Sequence, residues 1–257
     1  MNKDGIFRFI PPLLCITFIL LLWHTLHSLS LINEYILPAP KTVLKTFLTL
    51  IKSGEIFTDV SISLLRVAKG FSIAFIIAFV LGMLSSVLPV SRCFFEYLVH
   101  FFKNVPPISM IPLLILWAGI GETTKTVIIV LASFFPMYMS IVKGFTSGDK
   151  KLLEVGNIFK YTKLRLFTRI VLPYAISDIL VGMRIGLGYA WRAIIGAEMV
   201  AASTGLGHMI LFAQQMARTD KVIVGILVIG LVGYCSDKLF ALLVDAILKG
   251  EKENERN

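Results

Sequence analysis

Apolar runs long enough to cross a lipid bilayer recur along this chain, and they leave few folds open. A hydrocarbon core about 30 Å thick needs about 20 helical residues at about 1.5 Å each. Runs of that kind cover about 9–29, 67–88, 97–120, 126–145, 173–199 and 222–248. Inside lipid every backbone N–H and C=O must be bonded within the protein, so such runs are helices. The expectation is an all-α polytopic membrane protein with about six transmembrane helices. Composition agrees, because apolar residues make up 56%, charged residues only 16%, and the mean hydropathy is +0.83. A soluble domain carries about a quarter charged residues. The length of 257 residues suits one domain, 1–257, with its core at about 60–248.

Between the runs the punctuation is clear. Ile36-Leu37-Pro38-Ala39-Pro40 stops a helix, and 42–51 reads as an amphipathic helix with Val43, Leu44, Phe47, Leu48 and Ile51 apolar. Pro89 ends the second run, while Pro106, Pro107 and Pro112 interrupt the third. Such prolines leave carbonyls without helical partners, which is tolerated only where they are buried or line a cavity. Asn104 and Ser109 beside them, with Ser133 in the fourth run, are therefore candidates for a solute path. A kink for packing is the alternative. Lys3 and Arg8 before the first run fit a signal peptide, but no small-x-small cleavage site follows, so an uncleaved span entering from the cytoplasm is expected.

The segment at about 149–172 is basic. Lys150, Lys151, Lys160, Lys163, Arg165 and Arg169 outnumber Asp149 and Glu154. Lys and Arg are retained on the cytoplasmic side, which places this loop there. Six spans then put both termini in the cytoplasm, with 29–67 and 200–221 outside. The excess of nine positive charges is explained by such flanking segments and does not indicate nucleic acid. The loop also reads as two short helices, with Leu152, Leu153, Val155, Ile158 and Phe159 as one apolar stripe and Leu164, Phe167, Ile170 and Val171 as another. Helices too short to span, held at the membrane face, suit docking of a soluble partner; an ordinary connecting loop is the alternative.

Chemistry-bearing groups are sparse. Cys15, Cys93 and Cys235 lie far apart and read as small buried hydrophobes. His24, His27, His100 and His208 lack metal-site company, and no cofactor motif or metal site is expected. There is no nucleophile–base grouping for a membrane-embedded enzyme and no phosphate-binding G-x-x-x-x-G-K-[ST] stretch, so any ATPase must be another chain. Internal repeats are not evident, which disfavours a self-contained secondary transporter. Arg184 stands eleven residues beyond Pro173, about 16 Å along a helix and near mid-membrane. A charge at that depth faces protein or water, either on a solute path or in a structural pair. Arg192 and Glu198 read as interfacial, and Trp117 and Trp191 as aromatic anchors. Gly182 and Gly186 permit close helix approach.

The segment beginning at Glu154 resembles the E-A-A loop of permease subunits of ATP-binding-cassette importers. That pattern is Glu-Ala-Ala, three residues, Gly, nine residues, Ile-x-Leu-Pro. Here Glu154, Val155 and Gly156 open it, and Ile170, Leu172 and Pro173 close it. Lys160 stands at the family's bend Gly, a departure that calls for a different backbone conformation, since Gly alone enters positive φ freely. The resemblance runs over about 37–243 and is closest to the nitrate/sulfonate/taurine branch. It rests on Leu37-Pro38-Ala39-Pro40, Ser63-Leu64-Leu65-Arg66, Pro106-Pro107-Ile108, Trp117-Ala118-Gly119-Ile120-Gly121, Gly182-Met183-Arg184-Ile185-Gly186 and Ala197-Glu198.

It implies the type I importer permease fold in a cell membrane, with Glu154, Val155, Gly156, Lys160, Ile170, Leu172 and Pro173 as ATPase-coupling residues rather than catalytic ones. Implied partners are cytoplasmic ATPase subunits, an extracytoplasmic solute-binding protein and a second permease, a homodimer being expected, besides membrane lipid. The implied solute is a small anion such as nitrate, a sulfonate or taurine. A heterocyclic vitamin precursor is an alternative, as is a channel or secondary carrier that works without ATP.

Overall fold

A computed structural model describes residues 10–29, 31–87, 89–148, 154, 156 and 158–254, and every regular element among them is helical. The elements are α1 (Ile10–Ser28), α2 (Pro40–Lys52), α3 (Glu55–Val87), α4 (Pro89–Phe102), a 3₁₀ turn at Pro107–Met110, α5 (Ile111–Ala118), α6 (Glu122–Thr146), α7 (Lys163–Leu166), a π-helical turn at Phe167–Val171, α8 (Leu172–Ala201), α9 (Leu206–Gln215) and α10 (Thr219–Asn254). Among the described residues four stretches are long and apolar enough to cross a membrane: Glu55–Ser86, Glu122–Thr146, Leu164–Ala201 and Thr219–Leu248. A fifth crossing is a broken one, Phe95–Phe102 followed by Pro107–Ala118, bent by 89°. α1 is a shorter apolar helix.

Several boundaries depart from the sequence expectation. The second span begins at Glu55 rather than near Val67, because Asp59, Ser63 and Arg66 continue the helix and find partners within the protein. The third is not one helix. Pro106 and Pro107 break it, whereas Pro112 sits in the first turn of α5, where its missing N–H costs nothing. The second short helix of the basic loop is not separate either. α7 and the π-helical turn run directly into α8, so Pro173 lies in a first turn rather than at a fresh start. The stretch after α8 holds a helix, α9, that sequence periodicity did not reveal.

α6 is the centre of the bundle, and it is flanked by two stripes of small residues. On α3, Gly70, Ala74, Ala78 and Gly82 recur every four residues on one helix face. A Cβ on Gly70 would stand 2.6 Å from Ile129 Cγ2, and one on Gly82 would stand 2.6 Å from Ile141 Cγ2. On α8, a Cβ on Gly182 would stand 2.5 Å from Ser140 Cβ, and one on Gly186 would stand 2.6 Å from Met137 Cγ. Lipid tails give helices no hydrophobic reason to associate, so close backbone approach through small residues supplies the packing. The buried face of α6, including Ile128, Ile129, Met137 and Ile141, fills the space between. α3, α6 and α10 run one way and α8 the other. One end of the bundle gathers the starts of α3, α6 and α10 with the end of α8, and the opposite end gathers the basic loop.

Candidate functional site

Three charged regions mark the bundle. At the end away from the basic loop lies a buried ionic network. Glu198 is fully buried near the end of α8. Its carboxylate accepts from Arg66 Nη1 at 2.8 Å, from Ser63 Oγ at 2.8 and 2.9 Å, and from the Gly207 N–H at 3.0 Å. Arg66 also donates to both Glu122 oxygens, at 2.9 and 2.7 Å, and to the Thr204 carbonyl at 2.7 Å. Lys125 donates to Glu122 at 2.6 Å. The Gly205 N–H reaches Asp59 at 2.9 Å, and the Leu206 N–H reaches Ser63 Oγ at 3.1 Å. The open N-terminus of α9 is thus held by acceptors on α3 and α8. Its unsatisfied N–H groups and dipole favour the negative charge of Glu198 and Asp59. Gly205 at φ +107 makes the turn that allows this. Glu198, expected to be interfacial from its place near a span end, is there enclosed by protein. A carboxylate inside an apolar run, with an arginine in another, was the available signal.

The same end is tied further out. Asp220 at the start of α10 accepts from Thr46 of α2 at 2.6 Å and from Arg218 at 2.9 and 2.7 Å. That carboxylate raises the Arg218 pKa above its ordinary value. Lys221 donates to Glu55 at 2.5 Å.

At mid-bundle, Arg184 makes a bidentate pair with Asp237 of α10, at 2.8 and 2.7 Å. Both side chains are about half exposed in the single chain. Beside this pair a cleft of about 420 Å³ opens between α3, α8 and α10, lined among others by Ser72, Arg192 and Asp237. Trp191 is buried and donates its indole N–H to the Ile229 carbonyl at 3.2 Å, so it is not a lipid-facing anchor. Trp117 is 69% exposed. The other path candidates are not brought together. Asn104 and Ser109 are exposed and bonded to the carbonyls of His100 and Pro106, while Ser133 is fully buried and bonds back to the Ile129 carbonyl. Cys15 and Cys235 are exposed, contrary to the expectation of buried thiols.

At the opposite end lies the basic loop. Val155 is outside the described residues, and Glu154 is exposed. Lys160 adopts φ +50, so the left-handed bend expected of the family's Gly is kept by a lysine. The expectation of a different backbone there is overturned. The reason is a helix-terminating bond, Tyr161 N–H to the Gly156 carbonyl at 3.0 Å. A bond spanning those six residues with a left-handed residue next to last is the Schellman arrangement. Gly156 is buried, and a Cβ there would stand 2.5 Å from Leu166 Cδ1 and 2.8 Å from Ile170 Cδ1. Gly156 and Ile170 therefore meet across the bend, whereas Leu172 and Pro173 belong to α8. Ile158, Phe159 and Leu164 remain 76%, 68% and 73% exposed, an uncovered apolar surface beside a basic one.

The described residues thus form a helical bundle of apolar spans with a bent, partly uncovered loop at one end and a charged cleft between spans. The chain matches the model of the binding-protein-dependent transport system inner membrane component over residues 70–249, and it belongs to that family. It is 33% identical over 237 residues to the putative aliphatic sulfonates transport permease SsuC of Bacillus subtilis (strain 168), covering 92% of this chain and 86% of that one. It is 31% identical to the taurine transport system permease TauC of Escherichia coli (strain K12), covering 84% and 80%. It is 26% identical to the nitrate import permease NrtB of Synechocystis, covering 96% and 92%. The fold resembles a chain of the MetNI methionine ABC transporter in an inward-facing conformation, with TM-score 0.53 and 14% identity over 73% of this chain and 94% of that one. It is a membrane permease of an ABC importer with the fold expected from its sequence.

Proposed function

We propose that this chain is the membrane-spanning subunit of an ATP-driven importer for a small anion of the sulfonate, taurine or nitrate kind. An extracytoplasmic binding protein delivers the solute, a pair of cytoplasmic ATPase subunits supplies the energy, and a second copy of this chain completes the pathway. The named transport roles of the relatives support the solute class. The basic loop faces the cytoplasm with both termini, by the retention of Lys and Arg on that side.

The observation that carries the coupling role is the bend at Lys160. It holds Gly156 against Leu166 and Ile170 and leaves Ile158, Phe159 and Leu164 uncovered. In this reading Glu154, Val155, Gly156 and Lys160 meet the ATPase. Ile170, Leu172 and Pro173 transmit its movement, because α7 and the π-helical turn are continuous with α8. Nucleotide binding biases two rigid-body states of the bundle through differential contacts at this loop. Arg184, paired to Asp237, is the charged element of the path at mid-depth. Asn104, Ser109 and Ser133 have weaker support as path residues, since their polar groups are already bonded locally.

The test is solute-stimulated ATP hydrolysis by the reconstituted complex. Val155→Pro, which removes a donor and costs about 3 kcal/mol or more within a helix, should leave the chain in the membrane and abolish stimulation. Normal stimulated hydrolysis in that variant would show that the loop is not the coupling element.

A further inference from the structure

The cleft between α3, α8 and α10 contains a charge arrangement that the coupling role leaves unexplained. Its lining includes Phe71 and Ser72 of α3, Trp191 and Arg192 of α8, and Ser236 and Asp237 of α10. Asp237 is already committed, since both its oxygens accept from Arg184 at 2.7–2.8 Å. Arg192 is different. It is exposed, its guanidinium carbon lies 5.7 Å from the centre of the Tyr189 ring, and no carboxylate neutralises it among the described residues. Two arginines against one aspartate leave this region positive. Charged groups half exposed within apolar spans face protein or water rather than hydrocarbon. From the start of α8 at Leu172, Arg192 is about 30 Å along the helix and Arg184 about 18 Å. The cleft thus lies toward the end of the bundle that holds α9 and the buried network.

We propose that this cleft is an anion subsite in which Arg192 supplies the free cation, Asp237, neutralised by its pair with Arg184, lines one wall, and Ser72 provides a hydroxyl, the Ser236 hydroxyl being already bonded to the Val232 carbonyl at 2.8 Å. The ligand class is a small sulfonate or carboxylate-sized oxyanion with an aliphatic portion, which Phe71 and Trp191 accommodate. A volume of about 420 Å³ is ample for such a solute and lies within the usual range of ligand pockets. The guanidinium plane suits two oxygens of one anion. This rests on the importer reading for its purpose, but not for its test.

The test uses full-length chain in membranes with Cys15, Cys93 and Cys235 replaced by Ala. Ser72→Cys and, separately, Ser236→Cys are reacted with sulfonatoethyl methanethiosulfonate and with its trimethylammonium counterpart. Each rate is normalised to that reagent's reaction with a free thiol. Both positions should react several-fold faster with the sulfonate reagent. Arg192→Gln should remove that preference, and Arg192→Lys should retain it. Three results would overturn the proposal: no reaction with either reagent, a preference for the cation, or spontaneous cross-linking of Ser72→Cys between two chains. The last would show that a second copy covers the cleft. None of these depends on ATP or on the partner subunits, so the importer reading fails or stands separately.

Discussion

Replacing Glu198 with Ala should loosen the α8–α9 corner without unfolding the bundle. The carboxylate is fully buried and accepts from Arg66, Ser63 and the Gly207 N–H, so the substitution strands three donors at once. Removing one partner of a buried ion pair costs about 3–5 kcal/mol. Arg66 keeps two bonds to Glu122 and one to the Thr204 carbonyl, which puts the cost at the lower end, about 3 kcal/mol. At about 1.4 kcal/mol per tenfold, that is roughly a hundredfold in the opening equilibrium of the corner. Amide hydrogen exchange in lipid nanodiscs reads this directly on the peptide that carries Leu206, Gly207 and Met209, provided the corner opens locally. Glu122 is 58% exposed although it binds the same arginine, so Glu122→Gln should cost at most about 1 kcal/mol. Unchanged exchange in Glu198→Ala, or an equal acceleration in Glu122→Gln, would refute the burial argument.

Other outcomes follow from the same geometry. Lys160→Gly should stabilise the loop by about 1 kcal/mol, since a left-handed non-glycine residue carries about that penalty; limited proteolysis at the loop should slow. Gly182→Val should cost roughly 1–3 kcal/mol or displace α8 from α6, because even its Cβ overlaps Ser140, and thermal unfolding of the purified chain would show it. In a background without native cysteines, an impermeant thiol reagent added from outside should label Glu34→Cys and Gln215→Cys but not Thr162→Cys or Arg165→Cys; outside labelling of either of the last two would reverse the proposed orientation.

The spans were legible because apolar runs dominate them, and their edges were misplaced where a charged residue continues a helix. Arg66 reads as the end of an apolar run, yet it is buried by Glu198, a residue 132 positions away, and no local pattern announces that pair. The small-residue stripes were only half visible. Gly182 and Gly186 stood out, whereas Gly70, Ala74, Ala78 and Gly82 gain meaning only once α6 lies against them. The prolines foretold a break near 106, but an angle of 89° depends on what α5 packs against. α9 was hidden because its start is capped by side chains from other helices rather than by its own neighbours. Lys160 shows the opposite limit: spacing located the bend, while residue type misjudged its backbone, since the terminating bond from Tyr161 fixes the conformation. Arg184 stood out as a charge in an apolar run, but its partner Asp237 lies in a different span and was not identified.

The most direct measurement of the central claim is solute uptake into proteoliposomes with and without ATP. Vesicles containing this chain, its ATPase and its binding protein, loaded internally with ATP, should accumulate the solute delivered by that binding protein. Vesicles lacking ATP, or containing this chain alone, should not. Uptake by this chain alone in ATP-free vesicles would contradict the account and mark it as a channel or secondary carrier.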